Sequence, residues 1–292
     1  MLRIGRPGTR WLSTGYDGGT SRADAVYNVT VPEGWSERDL RAYARDRVRE
    51  ARVETAADLD AEADGTGVGD TETVEATPVD GETPETGAGD GQTAETGAGD
   101  ARTPVLFTGV AQRHARVARR GSVAAVVTAG VSNPAALPQP DHDAASSRLR
   151  GDGETDHDEL VGGGETRDHD GTVNVVVVTE RSLAAGAAAN LVAVAAEAKA
   201  ATLLATVGVP GTTSDAVVVG SDPDGERAAF SGSATPVGAA TRACVRDALR
   251  ASLASRYADG PGEPPASVAD AAHGVVTDER AAVSAVSAVD TE

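Results

Sequence analysis

Glu197 and Lys199 are the side chains whose types and setting point most directly to chemistry. Both lie in an Ala-, Leu- and Val-rich segment of helix length, so we expect a buried helix, where charges are rare unless paired or functional. A carboxylate in that setting can activate water, and the ammonium of Lys199, the only lysine, can polarise a carbonyl. The structural alternative is that Glu197 pairs with an arginine of another element and Lys199 reaches the surface.

Asp215 and Asn133 are the next candidates, because each adjoins a predicted strand. Asp215 follows a Thr-Thr-Ser turn and enters a strand, where it could act as a base, orient a catalytic partner or cap the loop. Asn133 ends the block Val127–Asn133, in which backbone N–H groups and the Asn amide could bind an oxyanion. Its alternative role is to hold a tight turn.

Three further polar residues are candidates for substrate contact. Ser13 lies where a strand meets a turn, and we favour substrate contact over a nucleophile because no Gly-Xaa-Ser-Xaa-Gly elbow is present. Asn174 lies in an apolar strand, so its amide bonds either the neighbouring backbone or a substrate amide. His114 is the best histidine candidate, although a lone histidine in a basic segment is more often solvated or satisfied by a partner.

The elements that position these residues follow a recognisable order. The β-branched run Thr172–Thr179 precedes the helical segment with Glu197 and Lys199, and a Gly/Thr turn then leads to a second run, Ala216–Val219. Strand, helix, loop and strand form the pattern of a crossover between parallel strands. Further strands are predicted at Leu2–Ile4, Arg10–Thr14, Ala25–Val31, Val105–Val110 and Ser122–Ala129, and helices after Ser36 and over Thr235–Tyr257. The predicted fold is α/β, a single domain with a mixed sheet.

Two acidic inserts are predicted to interrupt this domain. Residues 54–103 contain the repeated sequence ETGAGD, and residues 135–170 contain Asp-His-Asp three times. Both are too polar to offset the entropy of ordering, so we predict disorder, with the three triplets (Asp141–Asp143, Asp156–Asp158 and Asp168–Asp170) forming a solvated loop rather than a catalytic metal site. The folded parts are then 1–53, 104–134 and 171–257, followed by a tail, 258–292, that docks in part through Ser267–Val276.

The composition restricts the environment and the partners. With 45 acidic against 26 basic residues, a net charge of −19 and one lysine, it is similar to that of proteins from salt-accumulating haloarchaea. Molar salt screens such charge, so we expect the fold to loosen in low salt, and an unchanged circular dichroism spectrum after desalting would contradict this. The charge also disfavours nucleic-acid binding.

Several absences indicate a cytoplasmic protein. The N-terminus lacks an apolar signal-peptide core, and the longest apolar run, Ala184–Ala196, is short for a membrane span. Cys244 is the only cysteine, which excludes an intrachain disulfide and a Cys-based metal site. The sequence does not determine the oligomeric state.

Five ordered blocks resemble the signature of the adenosylcobinamide amidohydrolase family of archaeal corrinoid salvage. The resemblance covers residues 1–53, 104–134 and 171–257. Three blocks are a Gly-Thr-Xaa-Asn strand at Gly171–Asn174, an Ala-Glu-Ala-Lys helix segment at Ala196–Lys199 and a Gly-Thr-Thr-Ser-Asp-Ala turn at Gly211–Ala216. The other two are a Ser/Gly-rich segment at Ser13–Gly19, followed by Asn28, and the sequence VTAGVSN at Val127–Asn133.

The resemblance implies hydrolysis of the amide that joins the aminopropanol arm of adenosylcobinamide to the corrin ring. Glu197 or Asp215 would be the base, and Asn133, Asn174 and Lys199 would contact the carbonyl or the arm. Further substrate contacts are assigned to Ser13, Asn28, Thr128, Thr213 and His114. His114 could instead be a general base or a ligand to the corrinoid cobalt. The corrinoid is substrate, and neither a cofactor nor a metal is expected. Two alternatives remain: a non-catalytic corrinoid-binding or delivery protein, and an amidohydrolase for a different amide.

Overall fold

The structure is a computed structural model that describes residues 1–32, 35, 39–50, 102–138, 171–258, 263–265, 267–271 and 273–285. Most of both predicted inserts, including the three Asp-His-Asp triplets, lies outside the described residues. The second insert is predicted to begin at Ala135, whereas the structure has Ala135 and Ala136 in a short strand.

Seven strands form the main sheet: β1 (Leu2–Ser13), β2 (Gly19–Thr30), β3 (Val105–Thr108), β4 (Arg116–Arg120), β5 (Val123–Ala129), β7 (Val173–Thr179) and β10 (Ala216–Ser221). Shorter strands are β6 (Pro134–Ala136), β8 (Ser182–Leu183), β9 (Gly211–Thr212), β11 (Arg227–Ala228) and β12 (Val275–Val276). The described helices are α1 (residues 40–50), α2 (Ala185–Val207) and α3 (Pro236–Ala258), with 3-10 turns at Gln112–His114 and Val268–Asp270.

The main sheet is mixed, as predicted. Its strand order is β3-β2-β1-β10-β7-β5-β4. β7 and β10 are parallel neighbours joined through α2, with Asn174 opposite Ala216, which confirms the predicted crossover. β2 and β3 are also parallel, and the other neighbouring pairs are antiparallel.

The first strand differs from its prediction. Leu2–Ile4 and Arg10–Thr14 were expected to be separate strands, but both pairing regions belong to β1, whose register against β2 shifts between Gly5 and Thr9. Gly8 has a φ of 67°, a left-handed conformation that favours glycine, so the Arg-Pro-Gly sequence forms an irregularity within one strand. One strand with an internal irregularity therefore replaces the two predicted strands.

Two apolar cores lie on opposite faces of β7. Val173, Val175 and Val177 pack with α2 and α3, whereas Val176 and Val178 pack with residues of β1, β2 and β3. Because both faces are covered, the strand is a continuous valine run without polar alternation.

Helix α2 lies between sheet and solvent. Its length and composition would suffice to cross a membrane, which is weak evidence because core helices share these properties. Its buried residues, among them Leu191, Val194 and Leu203, pack in the core cluster shared with β7 and α3. That packing accounts for much of its apolar character.

Cys244 of α3 is expected to be unreactive in the folded protein. Burial, and secondarily the charge of Asp247, raise the pKa of its thiol, so the reactive thiolate is rarer than in an exposed cysteine. Native protein should react with a thiol reagent at least tenfold more slowly than protein in urea. Equal rates would show that the helix opens readily.

Candidate active site

One edge of the sheet collects most of the polar residues singled out in the sequence. β7 and β10 begin at this edge, and the antiparallel β5 ends there. The turn after β5 is held by two backbone donors: Gly130 N–H donates to Thr172 O at 3.2 Å, and Val131 N–H donates to the Tyr257 hydroxyl oxygen at 3.1 Å. Burial raises the pKa of Tyr257, so this phenol stays protonated.

Asp215 is the centre of this edge. Its Oδ1 accepts hydrogen bonds from Val173 N–H at 2.9 Å and from the Thr212 hydroxyl at 2.5 Å. Its Oδ2 accepts Thr212 N–H at 3.0 Å and the ammonium of Lys199. The carboxylate therefore caps the turn and joins three separate chain segments.

Lys199 reaches Asp215 from α2. Both side chains are only 11% exposed, so their ion pair is shielded from solvent far better than a surface pair. Gly211 lies against the pair: a Cβ on this residue would be 2.7 Å from Asp215 Oδ2 and 3.1 Å from Lys199 Nζ. Only glycine lets the backbone approach the charges so closely.

Asn133 completes what we call the edge cluster, which consists of Asn133, Lys199, Thr212, Thr213 and Asp215. Asn133 Nδ2 donates to Thr213 Oγ1 at 2.6 Å, and Thr213 N–H donates to Asn133 O at 3.1 Å. Asn133 Oδ1 is buried and has no hydrogen-bond partner among the described residues. An unpaired buried acceptor is costly, so a hydrogen-bond donor placed at this oxygen would stabilise the cluster.

Gly171→Ala is expected to lower activity through Asn133. A Cβ at residue 171 would overlap Asn133 Oδ1 and Ser132 N, so the amide must move. Displacing a substrate contact by 1 Å can cost about 100-fold in rate. Steady-state kinetics would measure this, and Gly186→Ala, where the added Cβ meets nothing within 4 Å, is the matched control. Equal rates for both variants would contradict the assigned contact.

A second group, the amide cluster, consists of Asn28, Gln112, Thr128 and Asn174. Asn174 Nδ2 donates to Asn28 Oδ1 and to Phe107 O, each at 2.9 Å, and Asn28 Nδ2 donates to Thr128 Oγ1 at 2.9 Å. Gln112, which sequence reasoning missed, lies 3.4 Å from Asn28 Nδ2. Asn174 Oδ1 is buried without a hydrogen-bond partner in the described part of the chain.

The two clusters lie on opposite faces of the sheet edge. The side chain of Asn174 shares its face with Val176 and Val178, towards β2, whereas Lys199 comes from the helix that covers the other face. The structure therefore brings the predicted residues together as two separate groups. Backbone atoms connect these groups, because Val173 N–H, beside Asn174, donates to Asp215.

The prediction that Glu197 is buried is wrong. Its side chain is 64% exposed and lies 3.5 Å from Arg242 of α3, as the structural alternative had it. The two-residue offset from Lys199 turns Glu197 towards a different side of α2. Its contacts do not include the edge cluster.

His114 and Ser13 lie outside both clusters. His114 is buried, with Nδ1 at 3.1 Å from the Ser255 hydroxyl and its carbonyl bonded by Ser252, so its described contacts are with α3. Ser13 Oγ accepts Gly15 N–H at 3.1 Å, the local turn bond considered in the sequence, and Ser13 also lines a large cavity.

This cavity has a volume of about 940 Å³ and lies between the β1–β2 turn, α1 and the residues before β3. That size is at the upper end for small-molecule sites. Asp17, in its wall, has a φ of 49° and accepts bonds from Arg41 and Arg102, each at 3.0 Å. Sequence reasoning did not single out Asp17, although a strained non-glycine residue in a turn is a feature of functional sites.

The fold and these groups define a single-domain α/β protein with a polar site at the strand ends of a mixed sheet. The sequence model of adenosylcobinamide amidohydrolase matches residues 65–261. A protein of Halobacterium salinarum named adenosylcobinamide amidohydrolase is 48% identical over 283 residues, which are 97% of this chain and 95% of that protein. The chain belongs to the adenosylcobinamide amidohydrolase family. No solved structure matches it significantly.

Proposed function

We propose that this protein hydrolyses the amide between the aminopropanol arm and the corrin ring of adenosylcobinamide, giving adenosylcobyric acid. We choose the site at Asp215 because several separate chain segments converge on this carboxylate. Three of the sequence blocks that carried the family resemblance, Gly171–Asn174, Ala196–Lys199 and Gly211–Ala216, each supply a bond to this carboxylate or the carboxylate itself. Blocks so far apart in sequence meet in one hydrogen-bond network at a partly exposed edge.

The attacking water loses its proton through Thr212. Asp215 has each oxygen engaged by two donors, so it reaches water best through the hydroxyl already bonded to it. Thr212 Oγ1 accepts the proton of water while passing its own to Asp215 Oδ1. The water oxygen then bonds the amide carbon, forming a tetrahedral intermediate.

Lys199 and Asn133 act on the other side of the reaction. The Lys199 ammonium stabilises the oxyanion and then gives a proton to the departing amine, as the carbon–nitrogen bond breaks. The proton held by Asp215 returns to Lys199, which restores both groups. Asn133 Oδ1 accepts an N–H of the substrate, the donor that its buried position lacks.

Asp215 is preferred over Glu197 as the base. Both were predicted from the sequence, but only Asp215 contacts Lys199, Thr212 and the start of β7. In the described residues no group of three or more His, Cys, Asp or Glu could hold a metal, and the proposed steps use side chains and water alone.

We also propose a setting for the reaction. The acidic, Lys-poor composition and the relative from a halophilic archaeon support a cytoplasm rich in salt as its location. Assays therefore belong in molar KCl.

Chromatography of adenosylcobinamide incubated with the protein tests the proposed function. Cobyric acid and free aminopropanol should appear together and in equal amounts, at many turnovers per protein. Binding without consumption would favour a delivery protein. If the folded protein neither bound nor hydrolysed adenosylcobinamide, the assignment would be overturned.

A further inference from the structure

The cavity beside Ser13 has an arginine-rich wall. Five of its lining residues are arginines, and Asp17 is the one acidic residue among the described residues that line it; the arginines are Arg22, Arg41, Arg45, Arg49 and Arg102. Such a wall attracts anions, and guanidinium groups match the geometry of phosphate oxygens.

The arginine-rich wall belongs to a part of the chain that is not acidic. Residues 51–101 and 139–170 hold 24 of the 45 acidic residues and four of the arginines. The described residues hold 21 basic and 16 acidic residues. The described residues therefore carry an excess of five basic residues, although the whole chain has a net charge of −19.

Three of the five arginines form a stripe along α1. Arg41, Arg45 and Arg49 are spaced by four residues, so they lie on one helix face, where like charges destabilise a helix. Asp17 holds Arg41, whereas Arg45 and Arg49 lie 3.8 and 3.9 Å from a single carboxylate, that of Asp46. Among the described residues, the stripe thus has more positive charge than its ion-pair partners balance.

We propose that this cavity binds the phosphate group of a small organic phosphate ester, with Arg45 and Arg49 as its principal contacts and with Arg41 and Arg102 fixed in place by Asp17. This goes beyond the proposed function, whose substrate carries a hydroxyl on its arm. Two kinds of molecule could supply this phosphate group: a corrinoid whose amino-alcohol arm is phosphorylated, or a free phosphate ester. The first source rests on the proposed function, and the second does not.

Titration with three probes tests the site: inorganic phosphate, the phosphate ester of 1-amino-2-propanol, and 1-amino-2-propanol itself. Trp35 packs at a tilted angle against Tyr43 of α1, with ring centroids 5.1 Å apart, so we expect tryptophan fluorescence to respond when a ligand binds the arginines of α1. The work is done in 1 M KCl, where a Debye length of about 3 Å leaves mainly direct contacts. The ester is expected to bind at least tenfold more tightly than the unphosphorylated amino alcohol.

The double variant Arg45→Gln/Arg49→Gln should bind the ester at least tenfold more weakly. Arg47→Gln is the matched control, because Arg47 is on the same helix, pairs with Glu50 and is not part of the cavity wall. Equal binding of phosphorylated and unphosphorylated amino alcohol overturns the proposal. The proposal is also overturned if Arg47→Gln weakens ester binding as much as the double variant does.

Hydrolysis assays separate the two sources. If the ligand is a substrate, adenosylcobinamide with a phosphorylated arm has a lower KM than adenosylcobinamide itself in the wild type. In the double variant the two KM values are equal. If it is a free ester, the ester binds but phosphorylation of the arm does not lower KM. Saturable ester binding without any corrinoid hydrolysis supports the cavity and refutes the proposed function. Corrinoid hydrolysis without ester binding supports the proposed function and refutes the phosphate site in the cavity.

Discussion

Lys199→Met is expected to lower kcat for adenosylcobinamide hydrolysis by about 10²- to 10⁴-fold, with KM changed only a few-fold. The ammonium acts on charge that develops in the transition state, so its loss affects the rate more than binding. The variant should fold, because Asp215 keeps three donors, two from the backbone and one from Thr212. Steady-state kinetics with corrinoid chromatography measures the effect.

Glu197→Gln is the matched control for this experiment. It changes one charge on the same helix, two residues away, at a side chain that is exposed and paired with Arg242. Its turnover should stay within about twofold of the wild type, since exposed ion pairs contribute little. If Glu197→Gln loses activity while Lys199→Met keeps it, the edge cluster is not the catalytic site.

The fold was predictable from the sequence because its signals are local. β7 and β10 are short β-branched runs flanking a helix, and the strand-helix-strand order allows few arrangements. The spacing of Lys199 and Asp215 in the sequence did not by itself indicate that the two side chains meet. The crossover brings them together, since it returns the end of α2 to the edge where β10 begins.

The exposure of Glu197 could not be predicted from the composition of its helix. α2 is alanine-rich on nearly every side, and exposed alanines cost little, so the pattern does not indicate which face meets the sheet. Tertiary packing decided this by placing Leu191, Val194 and Leu203 inwards.

The arginine-lined cavity was also beyond prediction. Its wall combines the β1–β2 turn, α1 and residues 102–105. The pairing of β2 with β3 positions residues 102–105, and α1 joins them through the apolar cluster that Ala44 shares with Tyr27 and Val105. The net charge of −19 concealed the arginines, because so much of the acidic charge lies in two segments outside the described residues. The predicted loosening in low salt assumed an acidic folded part, and it stays a prediction.

Asp215→Asn is expected to be the most damaging single change at the edge cluster. It removes the proposed proton acceptor and leaves Lys199 without its counter-charge at a site only 11% exposed. Breaking a buried pair in this way typically costs about 3–5 kcal/mol. Urea denaturation in constant molar KCl, followed by the fluorescence of buried Trp11, measures the loss.

The double variant Lys199→Met/Asp215→Asn separates the ion pair from the cap. Without Lys199 no uncompensated charge remains, so the double variant should be more stable than the sum of the single effects predicts, by about 1–3 kcal/mol. The residual destabilisation then reports the bonds to Thr212 and Val173, which an asparagine only partly replaces. Additive effects would mean that the pair contributes nothing in solution, and Lys199 would no longer be held where the proposed proton transfer needs it.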